Sequence, residues 1–373
     1  MTASTDGPGS PERRRDGAVP PPRLPRRARL LLYGAFLLLL AAVLVDLITG
    51  PGTTLSPVLA VAPVLVSATT RRARVPLATG AVAIVVAGLL EEGNTHLPGS
   101  VHATALVTIT AATLASTANV VLTAAREREL LQVRTVAEAA QRALLRPPPE
   151  RVGPLRIAVR YVAAAAEARI GGDLYAVADT PFGIRVLLGD VQGHGLPAVE
   201  TAADVLGAFR TAARTEPDLA RLAERLDAAL SSRPANERFA TALLIGVDRR
   251  SGAARLVNCG HPHPLLRRAG QVTELAPAGH APPLGLLDLA GDSHYQAVPF
   301  EPQPGDLLVL HTDGVSEARD PAGTFYPLPT RLATFPAGSP DDLLDDLFAD
   351  LARWVSPTGL ADDAAALALR WER

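Results

Sequence analysis

The chain has 373 residues, which is long enough for two or three structural units. Its 36 Lys and Arg residues nearly balance its 38 Asp and Glu residues, and none of the basic residues is a lysine. This balance argues against a nucleic-acid-binding protein, so we expect no nucleic-acid partner. The single cysteine, Cys259, excludes an intrachain disulfide and cysteine-based zinc clusters.

The N-terminal tail, residues 1–27, is rich in Pro, Gly, Ser and Arg and shows no apolar periodicity. Such a segment cannot bury enough apolar surface to offset its ordering entropy, so we predict a disordered basic tail. An apolar run at 30–49 follows and has the length of a membrane-spanning helix. A cleaved signal peptide is the weaker alternative, because the run begins late and further apolar segments follow it.

Three more apolar segments lie at 55–70, 75–90 and 101–124, so residues 28–124 are predicted to form a four-helix transmembrane region. Arginines precede the first segment, separate the second from the third and follow the fourth, whereas the other two connections contain none. This alternation predicts a multi-pass protein of the cell membrane, embedded in the lipid bilayer, with its N-terminus and C-terminal domain in the cytoplasm. The alternative, a buried bundle in a soluble protein, is disfavoured because the segments lack a polar stripe.

Residues 125–150 are predicted to form a linker or signalling helix. Leucine, valine and alanine recur there at alternating steps of three and four, at Leu130, Val133, Ala137, Ala140 and Leu144. This short seam predicts either a parallel homodimer through residues 125–146 or a helix that lies against the following domain. Three prolines at 147–149 end the helix.

The pattern then changes to short strands, predicted at 156–161, 183–188, 240–247, 253–258 and 306–311. Helical patterns occupy 198–214, 218–231 and 341–354. Strands outnumber helices and occur in consecutive groups, which favours an α+β fold with antiparallel sheets over a doubly wound α/β fold.

Aspartates in this region stand at strand ends or turns, beside glycine or another acid. They are Asp173, Asp190, Asp313 and the pair Asp362 and Asp363. A strand delivers a carboxylate to one sheet edge with little freedom, and glycine lets the backbone approach an ion closely. Carboxylates that meet repel one another unless cations lie between them. Because all these ligands are oxygens, the set favours Mg²⁺ or Mn²⁺ over zinc.

The sequence around these aspartates resembles the PPM (PP2C-type) serine/threonine phosphatases over residues 155–371. The similar branch contains the bacterial stage II sporulation phosphatase and the stress-response phosphatases that act on anti-sigma-factor antagonists. The matching runs are GGDLY at 171–175, LLGDVQGHG at 187–195, FAT at 239–241, CGHP at 259–262, PLG at 283–285, HTDGVSE at 311–317 and DDAA at 362–365.

The resemblance implies a β-sandwich of two antiparallel sheets flanked by helices, with two divalent cations, Mn²⁺ or Mg²⁺, at one end. Asp190 would bridge both cations, and the backbone carbonyl of Val191 would bind one of them. Asp173, Asp313 and Asp362 would complete the ligand set, with Asp363 as the alternative if the last turn is shifted by one residue. The implied reaction is hydrolysis of phosphoserine or phosphothreonine by an activated water, on a phosphorylated regulatory protein such as an anti-anti-sigma factor.

Two departures from the family pattern leave alternatives open. Ala176 replaces an acidic residue that is frequent in the family, and Gln192 stands where eukaryotic relatives have a candidate general acid; His194, two residues further on, is our candidate. A catalytically silent, phosphatase-like binding or sensor module therefore remains an alternative. A membrane diguanylate cyclase, suggested by Gly171-Gly172-Asp173, is disfavoured because no aspartate occurs between Asp46 and Asp173.

Overall fold

A computed structural model describes residues 26–49, 54–93, 98–163, 171–231, 238–277, 279, 281–291, 294–336 and 338–372. The chain divides into two compact units, Met1–Leu130 and Leu131–Arg373. Most of the predicted basic tail lies outside the described residues. Its last two residues, Arg26 and Arg27, belong to the first helix and not to the tail.

The N-terminal unit is helical in its described part. Its elements are α1 (Arg26–Thr49), a 3₁₀ helix (Ser56–Ala60), α2 (Val61–Ser67), α3 (Arg74–Gly93) and the long α4 (Gly99–Leu144). The predicted segment 55–70 is thus a 3₁₀ turn followed by a short helix that ends at Ser67. Pro63 has no amide hydrogen to donate to Leu59, which explains why an α-helix cannot run through from the start of this segment.

Only part of the predicted membrane region has the dimensions of a membrane-spanning helix. Among the described residues, Gly99–Glu129 is the one stretch long and apolar enough to cross a bilayer, judged by length and composition. Leu39–Ile48 within α1, Ser56–Ser67 and Arg74–Leu90 are shorter apolar stretches of the described residues. The prediction of four crossings is therefore not confirmed.

The predicted linker is not a separate element, because α4 continues without a break from the fourth apolar segment to Leu144. Near its C-terminal end, Ala140 and Leu144 pack against Val199 of the second unit. This contact agrees with the alternative in which the helix lies against the following domain. The side chains of Leu130, Val133 and Ala137 are outside the described set, so the homodimer remains a prediction.

The second unit is a sandwich of two sheets in which every strand pair is antiparallel, as predicted for an α+β fold. In spatial order, the six-stranded sheet contains β1 (Arg151–Val152), β2 (Leu155–Val162), β11 (Ala364–Trp371), β10 (Leu307–His311), β7 (Leu265–Arg268) and β8 (Gln271–Glu274). The five-stranded sheet contains β3 (Asp173–Thr180), β4 (Gly183–Val191), β5 (Ala240–Val247), β6 (Ala254–Cys259) and β9 (Val298–Phe300).

Helices cover the outer faces of both sheets. The five-stranded sheet packs against α5 (Leu196–Thr215) and α6 (Leu219–Ser231), and the six-stranded sheet packs against α8 (Leu328–Thr334) and α9 (Pro340–Trp354). Another helix, α7 (Asp313–Ser316), is a single turn after β10. Because helices lie outside and a second sheet lies inside, central strands are buried on both faces; every residue of β4 from Gly183 to Gly189 is buried.

Two apolar clusters follow from this layering. The larger one joins the inner faces of the sheets to α5 and α6 and includes Leu187, Phe209, Leu222 and Trp371. The smaller one lies between the six-stranded sheet and α9, where Leu343, Leu347 and Leu351 recur every four residues and form one apolar face. A capping box between Ser339 and Asp342 fixes the start of α9.

Candidate active site

Four strands bring the predicted aspartates to one end of the sandwich. Asp173 begins β3 and Asp190 lies near the end of β4, and their Cα atoms are register partners. Asp313 directly follows the loop residue after β10, while Asp362 and Asp363 immediately precede β11, which pairs with β10. Each sheet therefore contributes carboxylates from neighbouring strands, and the two groups meet.

The charges of these acids act on one another. Burial and then the charge of Asp190 raise the pKa of Asp173 well above its usual range, and a hydrogen bond from Thr312 opposes this shift. Burial, followed by the charges of Asp313, Asp362 and Asp363, raises the pKa of Asp190 to about 7. The groups that raise the pKa of Asp190 are thus the acids predicted as its co-ligands.

Asp313 belongs to the same cluster. Its pKa is raised by burial, then by the charges of Asp362 and Glu317. Glu317 is one residue beyond α7 and was not among the predicted site residues, although it ends the HTDGVSE run. The acidic cluster therefore contains Glu317 in addition to the five predicted aspartates.

The neighbouring acids Asp362 and Asp363 differ in exposure: one carboxylate is exposed and the other is buried. Asp362 is exposed and, with Asp313, lines a cavity of about 560 Å³. Asp363 is only 3% exposed, and its backbone N–H donates a hydrogen bond of 2.8 Å to Asp362 Oδ1. Asp362 is therefore placed to contact a bound ion beside solvent, whereas Asp363 lies behind it.

Glycine is required where the backbone closes around these acids. A Cβ atom on Gly172 would collide with the carbonyl oxygen of Val191 and would lie 2.7 Å from Asp190 Oδ1. A Cβ on Gly171 would collide with the carboxylate of Asp363. A Cβ on Gly314 would collide with the backbone oxygen of Asp363. The carbonyl of Val191 and the carboxylates thus border a space from which side chains are excluded.

Three neutral side chains that the sequence analysis did not select hold the buried acids. Thr312 is fully buried, donates a hydrogen bond of 2.9 Å to Asp173 Oδ2 and accepts one of 3.0 Å from the amide of Ala365. The hydroxyl of Tyr161 donates to Asp363 Oδ2 at 2.5 Å, and Gln141 Nε2 donates to Tyr161 at 2.9 Å. Burial and the bond to Asp363 raise the pKa of Tyr161, which keeps its hydroxyl protonated.

Thr312 had a sequence signal, because it directly precedes Asp313 in the strand-end run. Tyr161 and Gln141 had no such sequence signal. Tyr161 ends an ordinary strand pattern, and Gln141 lies in the helical linker. Their role depends on which elements the fold places side by side.

A histidine beneath the site is structural rather than catalytic. His261 is 4% exposed, its Nδ1 lies 2.8 Å from the hydroxyl of Thr241, and Thr241 is the register partner of Asp190. Burial and then the neighbouring His311 lower the pKa of His261 to about 3, so it is neutral at ordinary pH. Its amide donates to Asn258 at 2.8 Å, which fixes the turn after β6.

His194 is exposed in the turn between β4 and α5. This turn contains Gly193 and Gly195 with φ angles of 89° and 80°, a region that other residues rarely adopt. Gly195 is the N-cap residue and α5 begins at Leu196, so His194 precedes the helix rather than opening it. The described hydrogen bonds of the five aspartates do not include His194, and its catalytic role remains a prediction.

The donors at this site are carboxylates and a backbone carbonyl. Among the described residues, no three His, Cys, Asp or Glu side chains are arranged to hold a metal ion as they stand. The chemistry nevertheless fits hard cations: all of these donors are oxygen atoms, and glycines leave the space between them open. Burial and then mutual repulsion raise the pKa of the central acids. We conclude that the residues present suit Mg²⁺ or Mn²⁺.

Comparison with known proteins agrees with this geometry. The model of the family described as stage II sporulation protein E (SpoIIE) matches residues 180–372. The structure of the RsbU and RsbW domains of a Mycobacterium tuberculosis protein is 26% identical, with a TM-score of 0.51, over 59% of this chain and 60% of that one. The present chain thus corresponds to about three fifths of that structure.

Two further structures show the same fold at lower identity. The SiaA-PP2C domain of Pseudomonas aeruginosa is 22% identical, with a TM-score of 0.55, over 66% of this chain and 98% of that domain. The PP2C phosphatase domain of SpoIIE from Bacillus subtilis, with a fragment of its regulatory domain, is 19% identical, with a TM-score of 0.50, over 58% of this chain and 63% of that one. A PP2C-type sandwich also accounts for Gly171-Gly172-Asp173 without a diguanylate cyclase.

Proposed function

Since the chain belongs to the stage II sporulation protein E (SpoIIE) family, we propose that it is a metal-dependent protein serine/threonine phosphatase. The observation that supports this function best is the convergence of Asp173, Asp190, Asp313 and Asp362 from two different sheets. In a purely structural domain this many neighbouring acids would be destabilising, because each carboxylate repels the others.

Within this proposal, Asp190 is the central ligand, because acids beside the other sheet raise its pKa and its own charge raises the pKa of Asp173. Asp173, Asp313, Asp362 and the carbonyl of Val191 are the remaining ligands, and Asp363 acts from behind them. When bound, two Mn²⁺ or Mg²⁺ ions supply positive charge that lowers the pKa of water and offsets the charge of a phosphate group. The chain's own contribution is to fix the carboxylates and to exclude competing side chains.

The cavity of about 560 Å³ beside Asp313 and Asp362 is the proposed substrate entrance. Glu317, Arg319 and Asp320 also line it, and Glu317 is close enough to Asp313 for its charge to raise the pKa of that acid. His194 is our candidate to return a proton to the serine or threonine oxygen as it leaves, because it is exposed on the turn that follows Asp190.

We propose a phosphorylated regulatory protein, similar to an anti-anti-sigma factor, as the substrate. The family assignment and the similarity to a protein that contains RsbU and RsbW domains support this choice. The Gly99–Glu129 stretch of α4 supports attachment to the cytoplasmic face of the cell membrane, with the phosphatase domain following the membrane-spanning part. Further crossings and a homodimer through 125–146 are part of the same proposal.

The proposal is tested with the full chain purified in detergent. We expect phosphate release from a phosphorylated anti-anti-sigma factor with Mn²⁺, and none after chelation. Asp190→Asn should lower turnover by roughly 100-fold or more, because loss of even an outer partner of a metal ligand costs 10–100-fold. Asp288→Asn, which removes an exposed carboxylate from the same domain, serves as the control.

The alternative, a catalytically silent sensor, predicts a different result. Wild-type protein would bind the phosphoprotein but release no phosphate at any Mn²⁺ concentration, and Asp190→Asn would behave like wild type. That outcome would exclude the phosphatase.

A further inference from the structure

A chain of hydrogen bonds runs from the last turn of α4 to the buried acid of the site. Gln141 Nε2 donates to the hydroxyl of Tyr161 at 2.9 Å and to the carbonyl of Gly171 at 3.2 Å. Tyr161 in turn donates to Asp363 Oδ2 at 2.5 Å. The side chain of Gln141 therefore contacts both the hydroxyl that holds Asp363 and the loop that leads into Asp173.

Strand pairing explains why Tyr161 reaches this position. It lies at the end of β2, where its Cα is the register partner of Ala365 in β11. Ala365 is two residues beyond Asp363, so the tyrosine ring extends diagonally past the start of β11 to the carboxylate. The contact is set by the register of two central strands and cannot slip without disturbing the sheet.

The hydroxyl of Tyr161 donates to the carboxylate of Asp363, which is buried among other acids. Asp363 is 3% exposed and lies among acids that repel it, since it contributes to the raised pKa of both Asp173 and Asp190. The partners behind metal ligands commonly set the orientation and charge of the ligands in this way.

We propose that Tyr161 and Gln141 are positioning residues of the metal centre, and that they link metal binding to the order of the last turn of α4. This inference rests on the proposed function, because it presumes that the acids bind Mn²⁺ or Mg²⁺. Thermodynamic linkage makes the effect reciprocal: if a docked Gln141 increases metal affinity, bound metal must stabilise the docked helix end by the same factor.

The first test is a calorimetric titration of the full chain in detergent with Mn²⁺. Tyr161→Phe keeps the ring and removes only the hydroxyl, and we expect it to weaken Mn²⁺ binding about tenfold. Gln141→Leu should weaken binding less, because the tyrosine can still reach Asp363. The double variant should resemble Tyr161→Phe, since both residues act through the same contact.

The matched control is Tyr326→Phe. Tyr326 likewise donates to an aspartate, Asp350 Oδ2 at 2.8 Å, but Asp350 belongs to α9 and this pair is outside the site. Its removal should lower stability and leave Mn²⁺ affinity unchanged. A role in packing alone would give the same result for both tyrosines.

The second test measures amide hydrogen exchange in residues 139–144, with and without Mn²⁺. We expect Mn²⁺ to slow exchange there in the wild-type protein and to have much less effect in Tyr161→Phe. If Tyr161→Phe binds Mn²⁺ with the same affinity as the wild-type protein, or if Mn²⁺ slows amide exchange equally in both proteins, this inference is wrong. Either result would leave the proposed function standing. Failure of the wild-type protein to bind Mn²⁺ would overturn the proposed function and this inference with it.

Discussion

Asp173 and Asp190 stand directly opposite each other in neighbouring antiparallel strands, and the charge of Asp190 is second only to burial in raising the pKa of Asp173. Two acids in such a pair repel each other at close range. Asp313, Asp362 and Asp363 add to this repulsion at Asp190. The domain therefore holds a concentration of negative charge that opposes its own folding until cations neutralise it.

We first predict that Asp190→Asn makes the metal-free protein more stable than wild type but abolishes its stabilisation by Mn²⁺. Removing the central charge relieves repulsion and removes a ligand at the same time. Wild-type protein at a Mn²⁺ concentration 100 times its Kd should gain about 2.7 kcal/mol in free energy of unfolding. Urea denaturation with chelator or with Mn²⁺ measures both effects. A wild-type response to Mn²⁺ in the variant would contradict the role of Asp190.

The second prediction concerns Gly172. Gly172→Ala should weaken Mn²⁺ binding by roughly tenfold or more, because the added Cβ collides with the carbonyl of Val191 and approaches Asp190 Oδ1. Gly207→Ala in α5 is the control: its Cβ would meet no atom within 4 Å, and it should raise the free energy of unfolding by about 0.5–1 kcal/mol. Calorimetry and circular dichroism distinguish loss of the ion from loss of the fold. Wild-type affinity in Gly172→Ala would place the cations elsewhere.

The third prediction concerns Asp227, a buried acid of α6 outside the site. It accepts hydrogen bonds from the amides of Gly285 at 2.6 Å and Leu287 at 3.2 Å and from the hydroxyl of Tyr295 at 3.1 Å. Asp227→Ala should lower the free energy of unfolding by about 3 kcal/mol or more, because each of the three donors would stay buried without its acceptor, at a cost of roughly 1–3 kcal/mol.

The control for this change is Asp288→Ala, which removes an exposed carboxylate from the loop that Asp227 anchors. It should change stability by less than about 0.5 kcal/mol. Similar losses for both variants in urea denaturation would show that Asp227 is not the anchor of this loop.

The fourth prediction concerns pH. Burial alone would raise the pKa of Asp350, but hydrogen bonds from Tyr326 and Arg353 and the charges of Arg331 and Arg353 outweigh it and lower the pKa. A carboxyl with a lowered pKa in the folded state stabilises the protein above its unfolded pKa, and this contribution is lost as pH falls through the folded pKa. Wild-type protein should therefore lose more stability than Asp350→Asn between about pH 5 and pH 3.

Thermal unfolding of the two proteins across this pH range tests the prediction. Metal chelation throughout removes the contribution of bound cations, so the two proteins differ only at residue 350. Parallel losses of stability in the two proteins would mean that the charge of Asp350 contributes nothing measurable to stability.

Several elements could be predicted because local pattern and burial agree. The strand at Ala240–Val247 has the predicted ends, and α5, α6 and α9 begin or end within two residues of their predicted bounds. These segments have β-branched residues bounded by turn residues, or leucines at helical spacing with polar residues between them. In each case the face that the pattern marks as apolar is the face that the sandwich buries.

Other elements could not be predicted because their local pattern is weak. The strand Ala364–Trp371 is largely alanine and leucine, which favour helix, yet it lies at the centre of the six-stranded sheet between β2 and β10. Alanine suits that position because both faces are tightly packed, which is a property of the neighbours. The short 3₁₀ turn at Ser56–Ala60 was missed because hydropathy does not register the effect of proline on the backbone.

The sequence by itself determined the chemistry of the candidate site. Its aspartates, the glycines beside them and the absence of other ligand types pointed to hard cations, because residue type and backbone freedom are local properties. Tertiary structure decided what those residues contact. It opposed Asp173 to Asp190 through strand register, left Asp362 open to solvent with Asp363 buried behind it, and brought Tyr161, Thr312 and Gln141 against the acids. These relations depend on contacts between distant parts of the chain, which no local pattern encodes.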